Sequence, residues 1–385
     1  MRHDIIIVGG GVIGLSIAYY IKKMSPDTDV AVYEAKYIGY GASTRNGSHI
    51  RVHFWSEANV VFAVKSRELM LRLASETGWN PIPYIGGYLW LIYDEDTYQA
   101  YKHINSHLWS KYNVPVDFLE PEDVRERYPY LNPGSLISAV LGRQDGKIHH
   151  DFVTYAYAYK FMHYGGVIHE YTPVNRIIVS GDRIKGVELN GKTVEADKVV
   201  VAAGAWSRNL MHGVGVDLPL TPSRKELSVL EPTKFFIKPL IIDMRPDSRG
   251  LYVCQTPRGE IMGSVDYPEV TGIYEFNNTI KYLSTYARMV TRLIPSLKYL
   301  RILRVWSGDY NVSVDHSHIM GRDDEWPEGL YVATGYSGHG FMMAPYTGLL
   351  MARYLVDGYI HRDMEPFLPT RFKEGRLIKE EMVIG

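Results

Sequence analysis

The chain opens on an apolar run, Asp4-Ile5-Ile6-Ile7-Val8. It continues through Gly9-Gly10-Gly11-Val12-Ile13-Gly14 and a second apolar stretch to Asp29-Val30-Ala31-Val32-Tyr33-Glu34. This order predicts strand, glycine turn, helix and strand. Ser56 predicts the N-cap of a helix through Glu76, with Phe62, Leu69 and Leu73 on one face and Gly78 as its stop. Ile85 to Ile92 reads as a strand and Asp94 to Tyr112 as a helical stretch. Asp151 to Tyr164 predicts a helix closed by Gly165, and the turn signals Ser180-Gly181-Asp182 and Asn190-Gly191 predict a β-meander. Lys198-Val199-Val200-Val201-Ala202-Ala203-Gly204-Ala205-Trp206-Ser207 reads as a near-continuous apolar strand ending in a glycine turn; lacking polar alternation, it is expected to be buried on both faces, in the parallel sheet beside the first strand. Thr221 to Val265 is β-rich with Pro and Gly at intervals, and Asn277 to Leu293 is helical until Pro295. The last elements expected are a strand over Gly329 to Thr334, a glycine loop from Gly335 to Gly340, and a helix over Tyr346 to Val356.

Gly9, Gly11 and Gly14 occupy the G-x-G-x-x-G positions between a strand and a helix. They permit a tight turn, close approach of backbone to a pyrophosphate, and close helix-to-strand packing. The free N–H groups of the helix that follows face the phosphates. Glu34 ends the second strand, 20 residues after Gly14, where a carboxylate accepts hydrogen bonds from a ribose diol. The stretch predicts an adenine-dinucleotide site and leaves NAD, NADP and FAD open, although an acidic Glu34 repels the 2′-phosphate of NADP.

At 385 residues the chain exceeds the size of a single core, so two domains are expected. Its 42 basic and 43 acidic residues nearly cancel, which argues against nucleic acid or a membrane surface as partner. Cys254 is the sole cysteine, so an internal disulfide, a Cys-x-x-Cys pair and an iron–sulfur site are excluded, and no metal is expected. Only Met1-Arg2-His3 precedes the first strand and no apolar run approaches a membrane span. The expectation is a cytoplasmic protein.

Two glycine-rich strand-to-helix turns, one near each end of the chain, exceed what a nicotinamide cofactor needs. FAD is longer, and its isoalloxazine requires a cradle of its own, where a helix N-terminus stabilises negative charge on the reduced ring. Four stretches carry a family likeness: Gly9 to Gly14, the loop Ser43 to Arg51, Ala202 to Ser207, and Gly335 to Pro345 with its Gly338-His339-Gly340-Phe341 core. Together they resemble the D-amino-acid oxidase superfamily of FAD-dependent oxidoreductases. Within it the likeness is to sarcosine oxidases and to the β subunits of archaeal dye-linked L-proline dehydrogenases.

The resemblance spans the whole chain and implies an α/β plus α+β fold. A Rossmann-like FAD-binding domain of the glutathione-reductase type would be built from residues 1–84, 143–213 and 302–385. A mostly antiparallel β-sheet substrate domain would comprise 85–142 and 214–301. By motif match, Gly9, Gly11, Val12, Ile13, Gly14, Glu34 and Ala35 would hold the ADP part, and Ser43 and Thr44 the pyrophosphate side, with Arg45, Gly47 and Ile50 in the same loop. Ala203, Gly204 and Trp206 would lie nearby, and Val174 would meet adenine through its backbone. Gly338, His339, Gly340 and Met342 would border the flavin ring. Gly308 stands where some relatives carry the cysteine that attaches flavin, so FAD is expected to be non-covalent.

Arg51 matches the arginine that grips substrate carboxylate in sarcosine oxidases; a guanidinium fork pairs both carboxylate oxygens at fixed geometry. Tyr310 and His339 are the polar residues expected beside the flavin, His339 as a structural group rather than a general base. Sarcosine oxidases carry a lysine where this chain has Met342. The implied reaction is oxidation of a small amino acid, a secondary amine such as proline or sarcosine, by hydride transfer from the carbon beside nitrogen to flavin N5, giving an imine. Oxygen, a quinone or a dye would accept the electrons, and homo- or hetero-oligomers fit the resemblance. Three alternatives stay open: an FAD-dependent 2-hydroxy-acid dehydrogenase, a flavin-carrying subunit active only with a partner chain, and a plain NAD-dependent dehydrogenase.

Overall fold

The computed structural model describes residues 2–266, 270–272 and 276–381. The opening apolar run forms the strand Arg2–Val8, held between Val30–Tyr33 and Lys192–Val201, parallel to both. Val167–His169 continues the parallel sheet beyond Val30–Tyr33, and Leu330–Thr334 continues it beyond Lys192–Val201. Ile319–Gly321 closes that edge antiparallel. Val199 to Val201 lie opposite Ile6 to Val8 and are wholly buried, which is why this stretch needs no polar alternation. The meander is present as Arg176–Ser180 and Arg183–Leu189 running antiparallel onto the first half of Lys192–Val201.

Helix Val12–Met24 packs on this sheet and against the late helix Gly340–Asp357, so residues from both ends of the chain build one layer. Ser16 Oγ donates to the Ala344 carbonyl at 2.9 Å across that interface. The late helix starts at Gly340, six residues before the expected Tyr346. Pro345 reads as a boundary in sequence, but it lies inside the helix, where its missing N–H leaves the Phe341 carbonyl without its intrahelical bond and the packing of the helix outweighs that cost.

A second sheet of nine strands carries the middle of the chain. Its core order is Leu220–Leu230, Ile261–Ser264, Tyr252–Gln255, Leu240–Asp243, Tyr88–Ile92, Ser138–Gly142, Asp117–Leu119. Among the described residues its pairings are antiparallel, apart from Leu240–Asp243 beside Tyr88–Ile92. Helix Ile280–Leu293 covers one face with Tyr282, Tyr286, Met289, Val290 and Leu293, a stripe at helical spacing. It begins three residues later than Asn277, where the Thr279 hydroxyl caps the Tyr282 N–H at 3.2 Å.

The strand Ile302–Ser313 pairs with Leu220–Leu230 along its length, from Ile302 opposite Leu230 to Ser313 opposite Leu220. The expected division at 301/302 therefore cuts ahead of a strand of the antiparallel sheet. We propose that the third segment of the FAD-binding unit begins after Ser313.

Candidate functional site

Between the two sheets lies a cavity of about 530 Å³. One end is the first glycine turn. A Cβ on Gly14 would sit 2.2 Å from the Gly9 carbonyl oxygen, and Gly9 itself has φ 114°, so both positions require glycine. Helix Val12–Met24 begins there with Gly11, which has no side chain, as its N-cap, and with no acid in its first turn. Ser43 Oγ accepts from Val12 N at 2.9 Å and brings the loop against the helix start. Glu34 accepts from the backbone N–H groups of Gly10 and Lys36, each at 2.8 Å, and burial raises its pKa. Each of its oxygens keeps a lone pair for a further donor.

The other end is the second glycine loop. A Cβ on Gly338 would lie 2.4 Å from the Tyr310 ring, and its φ is 90°, so glycine lets the tyrosine stack onto the loop backbone. Burial raises the Tyr310 hydroxyl to about 12, which keeps it protonated. His339 immediately precedes the helix that follows, without capping it through its side chain, and Arg51 Nη2 lies 3.1 Å from its Nε2. The guanidinium stands 4.5 Å from the centre of the Phe54 ring, whose edge-on packing on His339 completes the group. Burial, then the Arg51 charge, hold His339 neutral by lowering its pKa well below the usual range.

A smaller chamber of about 50 Å³ adjoins this end. Arg51, His49, Tyr88, Leu240, His339 and Met342 line it, and Tyr252, Tyr310, Gly338 and Phe341 are shared with the large cavity. Arg51 is only 2% exposed, a buried cation in mostly apolar and aromatic surroundings.

The structure brings most of the expected residues together. Gly9, Gly11, Val12, Ile13, Glu34, Ala35, Ser43, Arg45 and Gly47 line the large cavity, as do Val174, Ala203, Gly204, Trp206, Gly308, Tyr310, Gly338 and Gly340. Arg51, His339 and Met342 line the adjoining chamber instead. Gly14, Thr44 and Ile50 line neither: Gly14 packs on Gly9, Thr44 Oγ1 donates to the Gly39 carbonyl at 2.8 Å, and Ile50 is buried beside Gly146.

Several wall residues are not evident from sequence. Tyr252, Lys225, Phe276, Asp309 and Asn311 belong to the cavity, and His49, Tyr88 and Leu240 to the chamber. Strand alternation marks which of them point inward but not which inward face meets a ligand. Asp309 is buried, both its carboxylate oxygens lack a hydrogen-bond partner among the described residues, and burial raises its pKa to about 6. Outside the cavity, His149, His150 and Asp151 place ligand atoms within 4.8 Å of one another. Among the described residues no helix is long and apolar enough to cross a membrane.

A cavity with a glycine turn and helix N-terminus at one end, a second glycine loop at the other and the Asp309 oxygens in its wall fits a long cofactor that carries phosphates and hydrogen-bond donors. The family model described as FAD dependent oxidoreductase matches residues 4–354. The chain belongs to the FAD-dependent oxidoreductase family. FAD is therefore its cofactor, and this flavoprotein is an oxidoreductase. It is similar to the sarcosine oxidase subunit beta of Rhodobacter capsulatus, 28% identical over 390 aligned residues, covering 100% of this chain and 92% of that protein. Glycine oxidase of Geobacillus kaustophilus is 27% identical, covering 96% of this chain and 97% of the relative. Among solved structures, L-proline dehydrogenase from P. horikoshii superposes with a TM-score of 0.90 at 33% identity, over 98% of this chain and 99% of that one.

Proposed function

We propose that this flavoprotein oxidises a small amino acid, with a secondary amine such as proline or sarcosine as its substrate. The observation that carries the reading is Arg51, a buried guanidinium on the wall of an apolar chamber that opens onto the FAD cavity. An anionic group of matching shape is the partner such a cation selects, and a carboxylate offers it two oxygens. The solved L-proline dehydrogenase and the sarcosine oxidase subunit beta support this choice, since proline and sarcosine are both secondary amines bearing a carboxylate.

FAD, when bound, supplies a two-electron acceptor. The chain's own residues do the rest. Gly9, Gly11, Val12 and Ser43 would hold the phosphates, Glu34 the ribose, and Gly338, Gly340 and Tyr310 the reactive end. Arg51 fixes the substrate carboxylate, and His339 fixes Arg51 by accepting from its Nη2. Leu240, Phe341, Met342 and the tyrosine rings enclose the methylenes and exclude water. Tyr310, protonated at neutral pH, is a donor to the substrate rather than a base.

No carboxylate is among the described residues lining the chamber. Burial lowers the pKa values of His49 and His339 strongly, so both accept protons poorly. The amine therefore releases its proton to bulk water as it enters, a step that the neighbouring Arg51 charge favours. We further propose that FAD is held without a thioether, because Gly308 lines the cavity whereas Cys254, the one cysteine, is buried outside it.

Anaerobic bleaching of the flavin against L-proline, D-proline, sarcosine, glycine, L-lactate and 2-hydroxyglutarate tests the reading. Reduction by hydroxy acids alone would overturn it. A second reading is a flavin subunit that works only with a partner, motivated by the subunit name of the R. capsulatus relative and by Met342. Dye reduction by the purified chain with L-proline would exclude that.

A further inference from the structure

Arg51 opens a stretch with no regular structure. Residues 51–56 run from the short strand His49–Ile50 to helix Glu57–Thr77, and Arg51 to Phe54 are buried. Buried backbone outside a helix or sheet must find partners elsewhere. Here two carboxylates provide them, one at each end.

Asp145 grips the first end. Its Oδ1 accepts from Val52 N at 2.8 Å, and its Oδ2 lies 2.6 Å from His53 Nδ1, while His53 Nε2 meets the Val114 carbonyl at 3.0 Å. Asp145 and His53 are both fully buried, and His53 is wedged edge-on against the Trp90 and Trp109 rings. Asp145 follows the strand Ser138–Gly142, and its own carbonyl accepts from Gly87 N at 2.9 Å. The antiparallel sheet thus fixes the backbone next to Arg51.

Glu380 grips the second end. Its Oε1 accepts from Trp55 N at 2.9 Å, and its Oε2 accepts from Ser56 N at 3.0 Å, Ser56 Oγ at 2.7 Å and Asn59 Nδ2 at 3.1 Å. Ser56 makes no cap of its own, so a carboxylate more than 320 positions away occupies the helix N-terminus, where negative charge is favoured. Glu380 is itself tied down, its N–H to the Asp315 carbonyl at 3.1 Å, and Asp315 is paired with the buried Arg371.

We propose that Asp145 and Glu380 are positioning residues that set the Arg51 guanidinium against the substrate carboxylate. Neither lines the cavity or the chamber, so each acts through the backbone of 51–56. The proposal rests on the carboxylate-binding role of Arg51. Small misplacement of a binding group is expensive in rate and affinity, which is the signature to seek.

The test uses full-length protein with FAD bound and the variants Asp145→Asn and Glu380→Gln, both close in shape to the originals. The flavin spectral change is titrated with L-proline and with L-prolinamide, which lacks the carboxylate. The expected result is a loss of L-proline affinity of about 10- to 100-fold, with L-prolinamide affinity changed by less than about threefold and FAD content retained. Ser56→Ala removes one of Glu380's bonds and is a milder variant should the others fail to fold; the proline-to-prolinamide ratio falls in the same direction. An unchanged ratio in any variant that folds, or equal loss of both ligands, overturns the proposal. Arg51→Lys reports on the underlying reading separately. If it leaves the preference for proline intact, or if the unmodified protein binds no proline, the role of Arg51 is wrong. If it abolishes the preference while Asp145→Asn and Glu380→Gln do not, only the positioning role falls.

Discussion

Arg51 Nη2 donates to His339 Nε2 across 3.1 Å and 288 positions of sequence. Because a guanidinium only donates, His339 must present a lone pair there and carry its proton on Nδ1. The ring is an orienting acceptor held neutral. His339→Ala removes one hydrogen bond from a charged group and lets the guanidinium rotate. A rise of about tenfold in the half-saturating substrate concentration is expected in steady-state assays, with the flavin spectrum intact.

Arg51→Ala deletes the cation itself. Removing a charged, two-point interaction from a buried chamber costs about 3 kcal/mol, or roughly a hundredfold in affinity. Titration with an unreactive carboxylate ligand, followed by the flavin spectrum, measures it; a change below about threefold would remove Arg51 from the substrate site.

The first glycine turn has no room for a methyl group. Gly14→Ala forces a Cβ to 2.2 Å from the Gly9 carbonyl, so the helix must tilt away from the strand. Destabilisation of about 1–3 kcal/mol and loss of yellow colour on purification are expected, read by thermal melting and flavin absorbance. A yellow, equally stable variant would contradict the packing described.

Asp309 carries an ionisation in the working range. Its pKa of about 6 comes from burial, only partly offset by Arg224 and Arg45. A spectral or affinity transition of bound FAD near that pH is expected in the unmodified protein and absent in Asp309→Asn. Persistence of the transition in the variant would assign it elsewhere.

Acid sensitivity follows from three buried imidazoles. His49, His318 and His339 all have pKa values well below the usual value, chiefly through burial. As pH falls through about 6.5 the unfolded chain takes up protons that the folded chain refuses, so stability falls, by up to about 1.4 kcal/mol per pH unit for each ring. Asp309 and Glu34, raised in the folded state, bind protons first when folded and act in the opposite direction. A melting temperature lowered by several degrees between about pH 7.5 and pH 6 is expected by calorimetry, since three rings act against two acids. Replacing His318, which lies outside the chamber, by Gln should flatten the slope.

What sequence alone discloses is local. The strand, glycine turn and helix at Asp4 to Met24 are legible because each glycine is required by its immediate neighbours, and the apolar end of Lys192–Val201 betrays its burial. Relations across the chain are not. In sequence Asp145 belongs to Gly142-Arg143-Gln144-Asp145-Gly146, which marks only a crossing between domains, and the fold alone brings it under Val52. Asp309 sits in a strand whose alternation looks ordinary, and the isolation of its carboxylate emerges from the register with Leu220–Leu230. Pro345 hides the true start of its helix because a local rule about proline outweighs packing that no window of sequence contains.

The meeting of Arg51 with His339 also sets a timetable for synthesis. At about 5–20 residues per second, roughly 15–60 s separate the making of these two residues on the ribosome. For much of that interval the strand Arg2–Val8 lacks the neighbour Lys192–Val201 that covers one of its edges in the finished sheet, and it carries bare N–H and C=O groups on an apolar ribbon. The nascent chain is thus most vulnerable to aggregation before it can bind flavin, and co-expressed chaperones that cover exposed strands should raise the yield of yellow protein more than added riboflavin does.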